Sequence, residues 1–166
     1  MKLKLFSLGT LVLCTSFASN AATSSDINTT AVASKFIDAL QHQRYEDAAV
    51  LFAQGERGDI IATEHTLKRI DDSLGGFSTI HPIATLPDGK SVKLEVIAHQ
   101  HMQREIQKFV QVRFVSTASD GQPVFYELNL TADGMPPQIL SFALHFPATD
   151  TQSYKRANEL VSTINH

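Results

Sequence analysis

Apolar residues recur along this chain with two different periods, and the change from one to the other divides it. From about residue 30 to residue 76 the spacing is helical. Thr29 or Thr30 can cap a helix on which Val32, Phe36, Ala39 and Leu40 form one stripe, widened by Ile37. In the next segment Tyr45, Ala48, Ala49 and Phe52 share a face and Glu46 and Asp47 sit in the first turn, where the helix dipole favours anions. Gly55 and Gly58 end it. A third helix is expected from Thr63, with Leu67, Ile70 and Leu74 on one side and Gly75-Gly76 closing it.

After His81-Pro82 the period falls to two. Four alternating runs follow: Val92, Leu94, Val96 and Ala98; Val110, Val112 and Phe114; Val124, Tyr126, Leu128 and Leu130; Leu140, Phe142, Leu144 and Phe146. Asp120-Gly121 and Asp133-Gly134 separate the last three, and Pro87-Asp88-Gly89 precedes the first, so turns fall where antiparallel hairpins need them. The opposite faces carry Lys93, Glu95, Gln111, Arg113, Glu127, Asn129, Ser141 and His145, which predicts one face packed on helices and one mostly wet. A short amphipathic helix is expected over 154–164, on Ala157, Leu160 and Val161. The fold class is therefore α+β, with N-terminal helices on a four-stranded antiparallel sheet and a short C-terminal helix.

The beginning of the chain changes the picture of where this domain works. Lys2 and Lys4, an apolar run from Leu5 to Leu13 and the small residues Ser19-Asn20-Ala21 form an export signal over residues 1–21, cleaved after Ala21. The run is too short to span a bilayer, which needs about 20 apolar residues, and none of that length follows. A periplasmic or secreted protein is expected. Leu13 stands before Cys14, where a lipoprotein signal wants a small residue, so lipidation is not expected. Residues 22–29 are small and polar and read as a flexible leader, and residues 30–166 as one domain. Cys14 is the sole cysteine, so cleavage leaves no thiol for a disulfide, a nucleophile or a metal. Loss of Lys2 and Lys4 moves the net charge from −3 to −5. With no clustered Lys and Arg, nucleic acid is not an expected partner.

Phe36-Ile37-Asp38-Ala39-Leu40, followed by Arg44-Tyr45-Glu46-Asp47-Ala48-Ala49 and Leu51-Phe52, resembles the first helical hairpin of the nuclear transport factor two superfamily. Leu74-Gly75-Gly76-Phe77 resembles that superfamily's entry into its sheet. Its members include ketosteroid isomerase-like and SnoaL-like enzymes and many exported domains. The resemblance covers about residues 30–147. It implies a cone in which the sheet curves round the first helix, often leaving a pocket, and it commonly implies a homodimer. The pocket candidates are then Tyr45, Ala98, Tyr126 and Phe142. In such a pocket a tyrosine hydroxyl can donate to a ligand oxygen, as one does in ketosteroid isomerase. A core tyrosine bonded to the fold itself is the competing reading.

Little else in the sequence carries chemistry. His99 and His101 point to one side of a strand end, but two ligands do not make a metal site, and His65, His81 and His145 have no spacing that would complete it. No metal and no cofactor are expected. Glu95 and Glu127 fall in the outward phase, which leaves no inward carboxylate for an isomerase, and no catalytic residue is assigned. Glu64, Asp71 and Asp72, interleaved with Lys68 and Arg69, read as a solvated face. The reading is a non-enzymatic exported domain that binds a small apolar ligand or an envelope protein. The alternatives are a pocket enzyme of isomerase or hydrolase type, and a dimerising accessory subunit.

Overall fold

A computed structural model describes residues 24–53, 57–87, 91–97, 109–132, 137–147 and 151–165. Residues 1–21, Asp88-Gly89, Ala98, His99, His101 and Asp133-Gly134 lie outside these, and so do the expectations that fall on them.

Three helices come first: α1 (Ser24–Gln41), α2 (Tyr45–Ala49) and α3 (Arg57–Leu74). The α1 stripe is buried as its spacing requires, with Ala33, Phe36, Ile37, Ala39 and Leu40 in the core. The helix begins at Ser24, before the expected Thr29 or Thr30 cap, and takes in most of the segment read as a flexible leader. Gln43 ends it in the left-handed region at φ 57°, and Arg44 N–H bonds back to Ala39 O at 2.8 Å. Arg44 then ties α1 to α2 through Asp38 and Asp47. The second helix is a single turn and a half, shorter than its apolar face suggests. Tertiary pairing replaces its second half: Phe52 forms a parallel bridge to Ile139, with Ala53 N–H on Ile139 O and Ile139 N–H on Leu51 O, both at 2.8 Å. Gly58, expected as a stop, lies inside α3, which starts six residues before Thr63.

The sheet has five strands where four were expected: β1 (His81–Ile83), β2 (Ser91–Ile97), β3 (Phe109–Thr117), β4 (Pro123–Thr131) and β5 (Ile139–Pro147). It is open and antiparallel throughout, in the order β1-β3-β4-β5-β2. The three-residue β1 escapes periodicity because it is too short to show any, and its central Pro82 argues against a strand unless that strand is an edge. The alternating residues Phe114, Val124, Tyr126, Leu128, Leu130, Phe142, Leu144 and Phe146 are buried against the helices, with Val112 packed on them. In β5 the phase changes. Asn129 pairs with Ser141 but Leu130 pairs with Ile139, so Leu140 is an extra residue in a bulge. Ile139, fully buried, takes the inward place that simple alternation assigns to Leu140.

The end of α3 meets the β3–β4 hairpin closely. Gly75 and Gly76 N–H groups both bond to Asp71 O at 3.0 Å, and Ser119 N–H bonds to Leu74 O at 2.9 Å. Gly75 has φ 81°, and a Cβ there would lie 2.6 Å from Ser119 Cβ, so both backbone and space require glycine. The last helix, α4 (Thr151–Asn165), buries Ala157 and Leu160, while Val161, expected inside, is 38% exposed. Arg156 anchors α4 by a 3.1 Å ion pair to Asp120 and by lying 5.6 Å over the Phe146 ring.

Phe142 is wholly buried and touches several rings, so Phe142→Ala should destabilise by about 3–5 kcal/mol. Ser141 faces the other side but is itself only 6% exposed and accepts a 3.0 Å bond from Asn129 Nδ2, so Ser141→Ala should cost about 0.5–1.5 kcal/mol. Urea unfolding of both variants checks the order, and a costlier Ser141→Ala would mean that the sheet faces are assigned the wrong way round.

Candidate functional site

Three of the four sequence-derived pocket residues are described, and all three are core. The Tyr126 and Phe142 rings stack with centroids 5.4 Å apart and planes 1° apart. Phe36 meets Phe142 edge-on at 5.1 Å, and Phe77 meets both Tyr126 and Phe142. Tyr126 and Phe142 are 0% exposed, so the described part of the interior is an aromatic cluster where a ligand cavity was expected. Periodicity distinguishes inward from outward but carries no information on whether the inward space is filled.

Both inward tyrosine hydroxyls have partners. Tyr126 Oη shares a 2.7 Å hydrogen bond with Ser116 Oγ, and burial pushes the phenol pKa up to about 12 against the lowering effect of that bond. Tyr45 Oη donates to Asp71 Oδ2 at 2.7 Å, and its pKa is raised by burial first and then by the carboxylate that its neutral form bonds. Asp71 is the correction that matters most. Read as part of a solvated acidic face with Glu64 and Asp72, it is 3% exposed, and its second carboxylate oxygen, Oδ1, is buried without a hydrogen-bond partner among the described residues. Its spacing from Leu67, Ile70 and Leu74 places it beside the apolar stripe of α3, and that signal was available in the sequence. An inward carboxylate therefore exists, supplied by α3 and not by a strand.

The outer face of the sheet is less wet than alternation suggests. Gln111 Nε2 donates to Asn129 Oδ1 at 3.1 Å and Asn129 donates to Ser141, so three strands are linked by one polar row. In the next row Arg113 pairs with Glu127, its Nε 4.0 Å from Oε2, and its guanidinium also bonds to Gln111. The small Ala143 lies between Glu127 and Glu95 in register and is 0% exposed. Half-buried His145 holds Nδ1 3.3 Å from Ser91 Oγ, while its Nε2 is buried and unpartnered among the described residues.

A surface groove lies between α3 and β2. Ala62, Thr63 and Thr66 line one wall and Leu94 to Ile97 the other, around a volume of about 180 Å³. Its helix wall is made of small residues, which is why space remains. Among the described residues no group of three or more His, Cys, Asp or Glu is placed to hold a metal ion, and no helix is long and apolar enough to cross a membrane.

Removing the Tyr45 hydroxyl leaves both Asp71 oxygens buried without a donor, so Tyr45→Phe should destabilise by about 1–3 kcal/mol in thermal or urea unfolding. His145 gives a pH dependence. Burial lowers its pKa, Lys93 and Arg113 add to the fall, and Glu127 and Glu95 oppose it. The unfolded chain then binds the proton more readily, so this histidine has no effect on stability well above its unfolded pKa of about 6.5 and removes stability as pH falls through that value. The melting temperature should accordingly drop less on acidification in His145→Gln than in the parent; an equal drop would assign the pH dependence to other groups.

Comparison of the chain with family models, with curated proteins and with solved structures gives no match to any of them.

Proposed function

We propose that this chain is an exported accessory domain of the nuclear transport factor two type, which acts by binding a protein of the cell envelope and not by catalysis. The filled interior is the observation that supports this most. In a ligand carrier of this kind the sheet curves as a cone around the first helix and leaves a pocket. Here the stacked Tyr126 and Phe142 rings, with Phe36 and Phe77 against them, fill the described space between helices and sheet. The groove beside β2, at about 180 Å³, is smaller than the roughly 300–1,000 Å³ of small-molecule pockets and suits a side chain of a partner better than a carried ligand. Export rests on Lys2, Lys4, the apolar run to Leu13 and the Ser19-Asn20-Ala21 site.

A second reading, a pocket enzyme of isomerase or hydrolase type, draws on one specific observation: Asp71 lies against Tyr45 and close enough to Tyr126 for its charge to raise that phenol further. A carboxylate with a free oxygen beside two phenols is acid–base equipment. At 3% exposed, its burial is what weighs against substrate access.

Mass spectrometry of the protein purified from its own periplasm tests both parts. The intact mass should match an unmodified chain beginning at Ala22, and native spectra should show a stoichiometric complex with another protein. An acylated Cys14 at the N-terminus would overturn cleavage after Ala21 in favour of a lipid-anchored form, and a small molecule released on unfolding, with no protein partner, would overturn the accessory role in favour of ligand carriage.

A further inference from the structure

The two edges of the sheet are guarded differently. An edge strand exposes a row of main-chain N–H and C=O groups that can pair with another chain, and proteins blunt such edges with short strands, bulges or proline. At one edge β1 has three residues with Pro82 at their centre. At the other, β2 has seven residues and no proline, and it pairs with β5 in unbroken register from Ser91↔Pro147 to Ile97↔Ser141. Among the described residues no strand lies beyond it. Four consecutive residues of β2, Leu94 to Ile97, border the groove, whose far wall is the small Ala62, Thr63 and Thr66, so among the described residues there is room beside this edge. Ile97 is 49% exposed there.

The sequence of β2 is self-complementary. Val92-Lys93-Leu94-Glu95-Val96 reads the same in both directions except that the charge changes sign. We propose that two copies of the chain pair edge to edge through β2, antiparallel, about a twofold axis at Leu94. Residue Lys93 then stands opposite Glu95 of the partner subunit and Glu95 opposite Lys93 of the partner subunit, while Leu94 meets Leu94 of the partner subunit on the helix side. Opposed side chains on one face sit about 4.5–5.5 Å apart at Cβ, within ion-pair reach. Within one strand Lys93 Nζ and Glu95 Oε2 already pair at 3.2 Å, both on the outer face, so dimerisation exchanges the two intrastrand pairs, one in each copy, for two across the axis.

The charges also select the register. A two-residue slip one way sets Glu95 against its own copy, and a slip the other way sets Lys93 against its own copy; each opposes like charges. A one-residue slip sends inward side chains to the outer face. The antiparallel pairing at Leu94 alone satisfies both charges and both faces, and it is isologous, as a closed dimer requires. It joins two five-stranded sheets into one of ten. A contact of this length falls at the small end of specific interfaces, so the dimer should be weak and concentration-dependent. The pairing does not depend on the accessory role, since the same edge is present whatever the domain binds.

Sedimentation velocity of the exported protein should show monomer giving way to dimer across the micromolar range. Lys93→Glu alone and Glu95→Lys alone should each remain monomeric at concentrations where the parent is mostly dimer, with unchanged melting temperatures, and an equimolar mixture of the two should recover the dimer. In a Cys14→Ser background, Leu94→Cys should form a disulfide-linked dimer on oxidation, because the register brings the two Cα atoms at 94 within disulfide range. A parent that stays monomeric throughout, or a dimer that survives both charge reversals, would overturn the proposal. A dimer that Leu94→Cys cannot cross-link would overturn it as well, since the chains would then be meeting through another surface.

Discussion

The Phe142 ring holds the two layers of this fold together. It stacks on Tyr126 of the neighbouring strand, receives the edge of Phe36 from the first helix and lies against Phe77 from the segment that leads into the sheet. Helix layer, sheet and connection therefore share one contact. Each ring alone adds the burial of a large side chain, and the offset and edge-on geometry contributes about 0.5–1.5 kcal/mol per pair beyond that burial. Among the described residues these rings fill the space between the helices and the sheet.

Two polar contacts in this interior hold separate elements to one another. Ser116 and Tyr126 bond across adjacent strands, and Asp71 receives the hydroxyl of Tyr45, so that α3 grips the start of α2. The same residue's main-chain carbonyl accepts both glycine amides that end α3, which makes Asp71 the point where the helix stops and where it is anchored. Among the described residues its remaining oxygen has no partner, a departure from the rule that buried polar atoms find one.

The helix stripes and the strand alternation were legible because each is a long repetition. Val32 to Leu40 and Val124 to Leu130 bury the residues that their periods select. What the sequence hid was decided by contacts between distant segments. The second helix stops at Ala49 because Phe52 pairs with Ile139, and no local signal near Gly55 reveals a partner some 90 residues away. β1 is set by its neighbour β3 and not by its own three residues. Asp71 is a charged residue inside by virtue of its place beside Ile70 and Leu74, where charge alone predicts a solvated face. For the candidate site, inward phase was correct for Tyr45, Tyr126 and Phe142, yet phase alone does not separate a lining residue from a packed one.

The bulge at Leu140 gives β5 two kinds of neighbour. Before it, Ile139 pairs with Leu130 and also bonds to the main chain of Leu51 and Ala53; after it, Ser141 to Pro147 carries β2 in register. A bulge bends its strand and sharpens the local twist. The extra residue therefore marks the corner at which β5 turns from its bridge with the tail of α2 into its ladder with the edge strand.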